Sequence, residues 1–330
     1  MSQRNPPTSN AGDVFDEVRE ACASVMNAAR HVTINHEHLR AAAAALTDAG
    51  TPPVVYDTRY HHRGTPESTL AFVVTLDAVN FGSGWFPHLC KRGSLSGYLT
   101  VSAALKQRFD ATGPLSAREL LEMDASKLAD LLGQDLAVPP VRELVQLYAR
   151  ALNDLGSFLL ARFHGSFEAL VEEASGSAAR LVGLLAAMPF YRDVARYGGR
   201  EVPFYKRAQI TASDLAAAFA GCGPGRFEDV DKLTAFADNL VPHVLRYDGI
   251  LVVEPALAAH ITREALLPAG SEEEVELRAA AVHAVECLVE EIRARGGRTS
   301  ARALDSALWT RGQNPEVKAR PRHRTRTVYY

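Results

Sequence analysis

Apolar residues recur at helical spacing along most of the chain. In VFDEVREACASVMNAARHV, Val14, Val18, Cys22 and Met26 fall on one stripe, and Asp13 stands where a side-chain oxygen would cap the first turn. A second helix is predicted over EHLRAAAAALTDAG, ending at Gly50 ahead of Pro52-Pro53. The short β-branched and aromatic stretch VVYDTRY is the best strand candidate. STLAFVVTLDAVNFGSGWF reads as a helix, because Leu70, Val73, Val74 and Phe81 share one side while Asp77 and Asn80 share another. Gly82 and Gly84 then end it before Trp85. From SLSGYLTVSAALKQRF onward helical patterns dominate, through VRELVQLYARALNDLGSFLLARF and SAARLVGLLAAM to EEEVELRAAAVHAVECLVEEIRARG, with Pro139-Pro140 as the clearest hinge. No internal repeat is visible. The expected fold is mainly α with minor β-structure near the N-terminus: a disordered stretch over 1–12, then a single two-lobed catalytic domain over 13–330.

Two later segments interrupt this even pattern. In FYKRAQITASDLAAAF an apolar face of Phe204, Ala208, Ala212, Leu215 and Phe219 is bordered by Lys206, Arg207, Ser213 and Asp214. Lys206 and Arg207 fall in the first turn, the wrong end for cations in the helix dipole. Either an anion or a carboxylate compensates them, or they are a solvated pair. In GCGPGRFEDVDKLTAFADNLVPHVL a short helix is predicted to stop near Ala237, and Pro242 sets the start of the next. Asp238 therefore belongs at a helix N-terminus, either as a cap or as a carboxylate facing a pocket. Asn80, Phe81 and Trp85 in LDAVNFGSGWF offer an amide and flat faces to a planar ligand, or simply pack in the core. Asp305 and Trp309 in LDSALW are one helical turn apart.

Composition narrows the classes. At 330 residues and 47% hydrophobic content the chain can bury a large core, and a formal net charge of -3 gives no general attraction to nucleic acid. The last stretch differs: Lys318, Arg320, Arg322, His323, Arg324 and Arg326 precede Tyr329-Tyr330, as a patch that can meet phosphate or as a solvated tail. Cys22, Cys90, Cys222 and Cys287 form no CxxC pair, which argues against a zinc site or a disulfide framework and fits a reducing cytoplasm. His36 and His38 are two apart and point to different faces of a helix, a poor metal pair. No apolar run reaches the roughly 20 residues that cross a bilayer. Dinucleotide, P-loop, zincin and α/β-hydrolase motifs are absent.

LDAVNFGSGW, FHGSFEALVEEASGSAARLV, VPFYKRAQI, GRFEDVDKLTAFADNLVPHVL, EVELRAAAVHAVE, LDSALW and the terminal HRTRTVYY together resemble the queuosine salvage protein family, the queuosine 5′-phosphate N-glycosylase/hydrolases. Asn239 and His243 stand where members of that family often have tyrosine and glutamine. The resemblance implies a fold similar to helix-hairpin-helix DNA glycosylases, with Asp238 as the catalytic carboxylate and Lys206 beside it in the site. It implies hydrolysis of queuosine 5′-phosphate to queuine and ribose 5-phosphate, with no metal, organic cofactor, nucleic-acid partner or membrane required. On that basis Asn80 and Asp305 are expected on polar edges of the base or its cyclopentenediol arm, and Phe81, Trp85 or Tyr205 on its faces. Lys206, with His243 or the terminal arginines, is expected to meet the 5′-phosphate. A glycosylase acting on DNA or intact RNA, and a non-catalytic queuine-binding protein, are the alternatives.

Overall fold

The computed structural model describes residues 13–330, so the expectation for 1–12 lies outside the described residues. Helix α1 (Val14–Ala28) is capped by Asp13, which accepts the Phe15 N–H at 3.2 Å. Helix α2 (His36–Ala49) is capped by Asn35 and stops at Gly50, whose φ of +74° suits glycine. Helix α3 (Pro66–Ala78) is buried on every side from Thr69 to Ala78, so it has no polar face, and Asp77 lies in the interior. Then come α4 (Gly97–Thr112), α5 (Ala117–Leu121), α6 (Ala125–Leu132), α7 (Pro139–Phe163), α8 (Phe167–Glu173) and α9 (Ala178–Leu185). Pro139-Pro140 is no hinge: it forms the first turn of α7, where a missing N–H costs nothing. The last helices are α10 (Lys206–Ala218), α11 (Val241–Tyr247), α12 (Pro255–Thr262), α13 (Glu272–Ala294), α14 (Ala301–Arg311) and α15 (Pro315–Lys318).

The strand expected at VVYDTRY does not form. Local bonds win there: the Asp57 carbonyl accepts the Tyr60 and His61 N–H groups, and its carboxylate accepts the Arg59 N–H at 3.0 Å. The strands that do form are short. β1 (Val32–Ile34) pairs antiparallel with β4 (Leu251–Val253), and β2 (Val194–Tyr197) forms a hairpin with β3 (Arg200–Pro203) around Gly198-Gly199, both at positive φ.

One apolar cluster draws on α3, α4 and α7–α10, and a second on α2, α11, α12, α13 and α14. A smaller third cluster joins Val18, Cys22 and Val25 of α1 to Val275, Ala279 and Val282 of α13, and includes Phe204 and Ala237. Phe204 lies two residues before Lys206, and Ala237 immediately before Asp238. Amid this apolar packing α13 carries a buried guanidinium, Arg278. It makes a two-point pair with Asp193 at 3.0 and 2.6 Å, donates Nε to the Ala237 carbonyl at 2.9 Å, and lies over the rings of Phe204 and Tyr330.

The C-terminal segment is a strap rather than a solvated tail. His323, Thr325, Thr327 and Tyr330 turn inward while Arg322, Arg324 and Arg326 are half-buried. The Leu267 N–H donates to the Arg324 carbonyl at 2.8 Å, the Gly82 N–H to the Tyr330 carbonyl at 3.0 Å, and the Tyr330 hydroxyl to Glu274 at 2.8 Å. Gly84 makes room for it, since a Cβ there would overlap the Thr325 carbonyl. The cations that looked like a free patch are thus carried across the fold on an ordered backbone.

Removing Asp193 leaves the buried Arg278 with Glu274, 3.7 Å from its Nε, in place of the two-point pair. Asp193→Ala should therefore lower the unfolding free energy by about 3–5 kcal/mol in urea titrations. A loss below about 1 kcal/mol, typical of exposed pairs, would contradict this role.

Candidate active site

The backbone leading to Asp238 is extended between Leu233 and Ala237, where a short helix was expected; only the 3₁₀ turns Gly223–Gly225 and Val230–Lys232 precede it. Side chains hold this strand bond by bond. Gln209 accepts the Thr234 N–H at 2.9 Å, Asp305 accepts the Phe236 N–H at 2.8 Å, and Arg278 takes the Ala237 carbonyl. Those bonds replace the helical ones and leave Asp238 at the entry to α11. Its Oδ1 accepts the N–H groups of Leu240 and Val241 at 2.8 and 2.9 Å. Among the described residues nothing bonds Oδ2. The carboxylate is therefore a cap through one oxygen and open through the other.

Lys206 and Arg207 are buried, not solvated, and the helix end they serve is that of α3. The Lys206 Nζ donates to the Asn80 carbonyl at 3.1 Å. Arg207 donates to the Ala78 carbonyl at 2.6 Å and to the Phe190 carbonyl, between the rings of Phe81 and Tyr191. Cations at the C-terminal carbonyls of α3 obey the dipole rule that their position in α10 breaks. Tyr205, at φ +48°, leaves α10 without a side-chain cap of its own. Asp193 substitutes, its Oδ2 accepting the Lys206 N–H at 3.1 Å while Arg278 holds the same carboxylate.

The charges around Asp238 are graded. On one side stand Arg322, Arg246, His243 and His323. Burial lowers the pKa of each of the four, and Asp238 pulls Arg322 back up. His243 donates Nε2–H to the Val317 carbonyl at 2.9 Å, so its Nδ1 is a bare acceptor in the neutral ring. The Asn239 amide donates to the His323 carbonyl at 3.3 Å, which fastens the strap beside Asp238 and brings Arg322 with it. On the other side are Asp305, Asp214 and Asp77. Burial holds all three above the ordinary carboxylate range, and a neighbouring carboxylate pushes further on Asp305 (from Asp238) and on Asp77 (from Asp214). Lys206 feels the charges of Asp238 and Asp77. Burial lowers its pKa, and the charge of Asp238 opposes that shift.

Lys206, Asp238, Asp305 and the backbone of Asn80 thus come together, with His243 on the cationic side. Three expected ligand walls do not join them. Phe81 packs edge-on against Tyr148 at 4.9 Å, and Trp85 donates its indole N–H to Glu143 at 2.8 Å, so both are interior residues. Tyr205 lines a groove of about 430 Å³ between α1 and the β2–β3 hairpin. Flat faces on the acidic side come instead from Tyr98 and Trp309, edge to face at 6.2 Å, with His61 hydrogen-bonded to the Tyr98 hydroxyl at 2.9 Å. A larger cavity of about 600 Å³, bounded by Arg92, Arg108, Glu119 and Lys127, contains none of these residues.

Asp77 offers a test of this electrostatic arrangement. Its folded pKa is raised while the unfolded value is about 3.9, so its contribution to stability is fully present below that pH and declines as pH rises towards the folded value. Asp77→Asn should gain thermal stability relative to the parent as pH rises from about 4 to about 7. A difference in Tm that ignores pH would contradict the assignment.

Comparison with known proteins agrees with the resemblance in the motifs. Residues 60–330 match the family model described as queuosine salvage protein. A protein of Sphaerobacter thermophilus named queuosine 5′-phosphate N-glycosylase/hydrolase is 38% identical, covering 93% of this chain and 95% of its own length. Proteins of the same name from Mus musculus and Dictyostelium discoideum are 32% and 31% identical, covering 94% and 95% of this chain and 98% of each relative. The chain, with Lys206 and Asp238 at two helix starts, belongs to the queuosine salvage protein family.

Proposed function

We infer that this chain hydrolyses the N-glycosidic bond of queuosine 5′-phosphate to queuine and ribose 5-phosphate, with Asp238 and Lys206 at the reacting bond. The observation that carries this reading is the divided role of Asp238: Oδ1 is fixed by two backbone N–H groups, while Oδ2 is unbonded among the described residues and the charge of Asp238 acts on the buried Lys206. Cleavage leaves the bonding electron pair on the base and positive charge on the anomeric carbon, where water's oxygen then bonds. An ionised carboxylate held rigidly at that carbon stabilises the charge as it develops. The charge of Asp238 in turn favours the cationic form of Lys206. The departing 7-deazaguanine has no basic ring nitrogen at the usual protonation position, so its negative charge needs donors. Asp305, whose carboxyl burial holds above the ordinary range, supplies a protonated oxygen for that purpose.

The 5′-phosphate belongs at the cationic side. Arg322 makes no ion pair among the described residues, and Nη1 of Arg246 has no partner there. Arg322 is therefore a better anion partner than the neutral His243 or than Lys206, which already holds Asn80. The inward turn of the strap and the net charge of -3 favour a small nucleotide over a nucleic acid, which needs a broad basic surface. We read the two larger apolar clusters as two lobes of one domain over 13–330, arranged as in helix-hairpin-helix DNA glycosylases and working in the cytoplasm.

Asn at 238 keeps the capping oxygen but loses the charge. Asp238→Asn should therefore retain the parent Tm while kcat falls about 10²–10³-fold or more, and a near-parental rate would overturn the assignment. Arg322→Ala should reduce the preference for queuosine 5′-phosphate over queuosine by about tenfold or more, whereas Lys206→Ala should slow both alike. The reverse pattern in kcat/KM would exchange the two roles.

A further inference from the structure

The acidic side of the site contains a pair of carboxylates that form no ion pair among the described residues. Asp77 ends the last turn of α3, and Asp214 projects from α10, the helix packed against it. Asp77 is wholly buried. Its Oδ1 receives a long bond from the Asn80 amide at 3.4 Å, the Thr211 hydroxyl lies nearby, and its Oδ2 has no geometric hydrogen-bond partner among the described residues. Asp214 is half-buried and has neither a hydrogen bond nor an ion pair among those residues.

Each nearby cation is committed elsewhere. Arg302 donates to the Ser213 hydroxyl at 2.8 Å and the Ser213 carbonyl at 2.9 Å. Lys206 donates to the Asn80 carbonyl, and Arg207 to the carbonyls at the end of α3. His61 faces the Asp57 carbonyl through Nδ1 at 2.9 Å, so Nδ1 carries the proton and Nε2 accepts from the Tyr98 hydroxyl. Tyr98, whose ring meets Trp309 edge to face, is close enough to feel the charges of Asp214 and Asp77. Two carboxylates without an ion pair among the described residues, with the Tyr98 ring close enough to feel both charges, suit an organic ammonium ion.

We propose that Asp214, backed by Asp77, binds a protonated amine of the substrate and so selects the base by its side arm. Resting on the reading of the reaction above, that amine is the secondary amine that queuosine carries on its 7-substituent. Asp238 then lies between the ammonium at this end and the phosphate at the Arg322 end, and the nucleotide can enter productively in one direction only. Asp214 is a specificity residue and takes no part in bond cleavage.

The test compares amine-bearing and neutral substrates. For the parent protein, 7-aminomethyl-7-deazaguanosine 5′-phosphate should exceed its 7-hydroxymethyl counterpart in kcat/KM by about tenfold or more. Asp214→Asn should erase most of that preference while the rate on the hydroxymethyl compound stays within about twofold. Equal use of the two compounds by the parent protein would overturn the subsite without relying on any variant, as would an equal loss on both in Asp214→Asn. Failure of the parent to cleave queuosine 5′-phosphate at all would overturn the reaction and the subsite together. Cleavage of that nucleotide with no amine preference overturns the subsite alone.

Discussion

The Arg278–Asp193 pair is the constraint on which the site depends. Through Nε the guanidinium holds the carbonyl before Asp238, and through Asp193 it caps the helix that starts at Lys206. Phe204 and Tyr330 cover its faces, so water cannot replace either partner. A pair enclosed this way contributes little net attraction after desolvation, but its geometry is exacting. It fixes two segments 32 residues apart in the chain (238 − 206) relative to each other. That is what a reaction dependent on a rigid carboxylate and a nearby ammonium requires.

The same frame sorts charge along the pocket. Strap residues fastened by Asn239 and Leu267 bring Arg322 to one side of Asp238, while α3, α10 and α14 bring Asp77, Asp214 and Asp305 to the other. Burial works against both sets of charges, raising the acids and lowering the cations, so a bound ligand of opposite sign restores charge to the group it meets. A nucleotide with an anion at one end and a cation at the other matches that gradient. On the proposed reading, orientation follows from electrostatics, with the bond to be broken at the middle.

Much of this was legible in the residues. Helical periodicity located α1, α2 and α3, and Pro242 correctly put Asp238 at a helix start. The misplaced cations of α10 did signal a partner, but the pattern within one helix cannot name it; the partner is the end of α3. VVYDTRY shows the limit of strand propensity: with no neighbouring edge, the turn bonds of Asp57 prevail. Phe81 and Trp85 were suited to a ligand by type, yet Arg207, Tyr148 and Glu143 occupy them. Asp193 gave no local signal, since its partner is 85 residues away in sequence. Arg278 gave a faint one, as a charge directly before the apolar stretch AAAV.

The most direct test of the central claim is chemical. Purified protein should be incubated separately with queuosine 5′-phosphate, queuosine and queuosine-containing tRNA, with free queuine quantified by mass spectrometry. Fastest release from the nucleotide, with ribose 5-phosphate formed in equal amount and intact tRNA untouched, is the predicted result. Release from intact tRNA in preference to the nucleotide, or no release from any of the three, would contradict it.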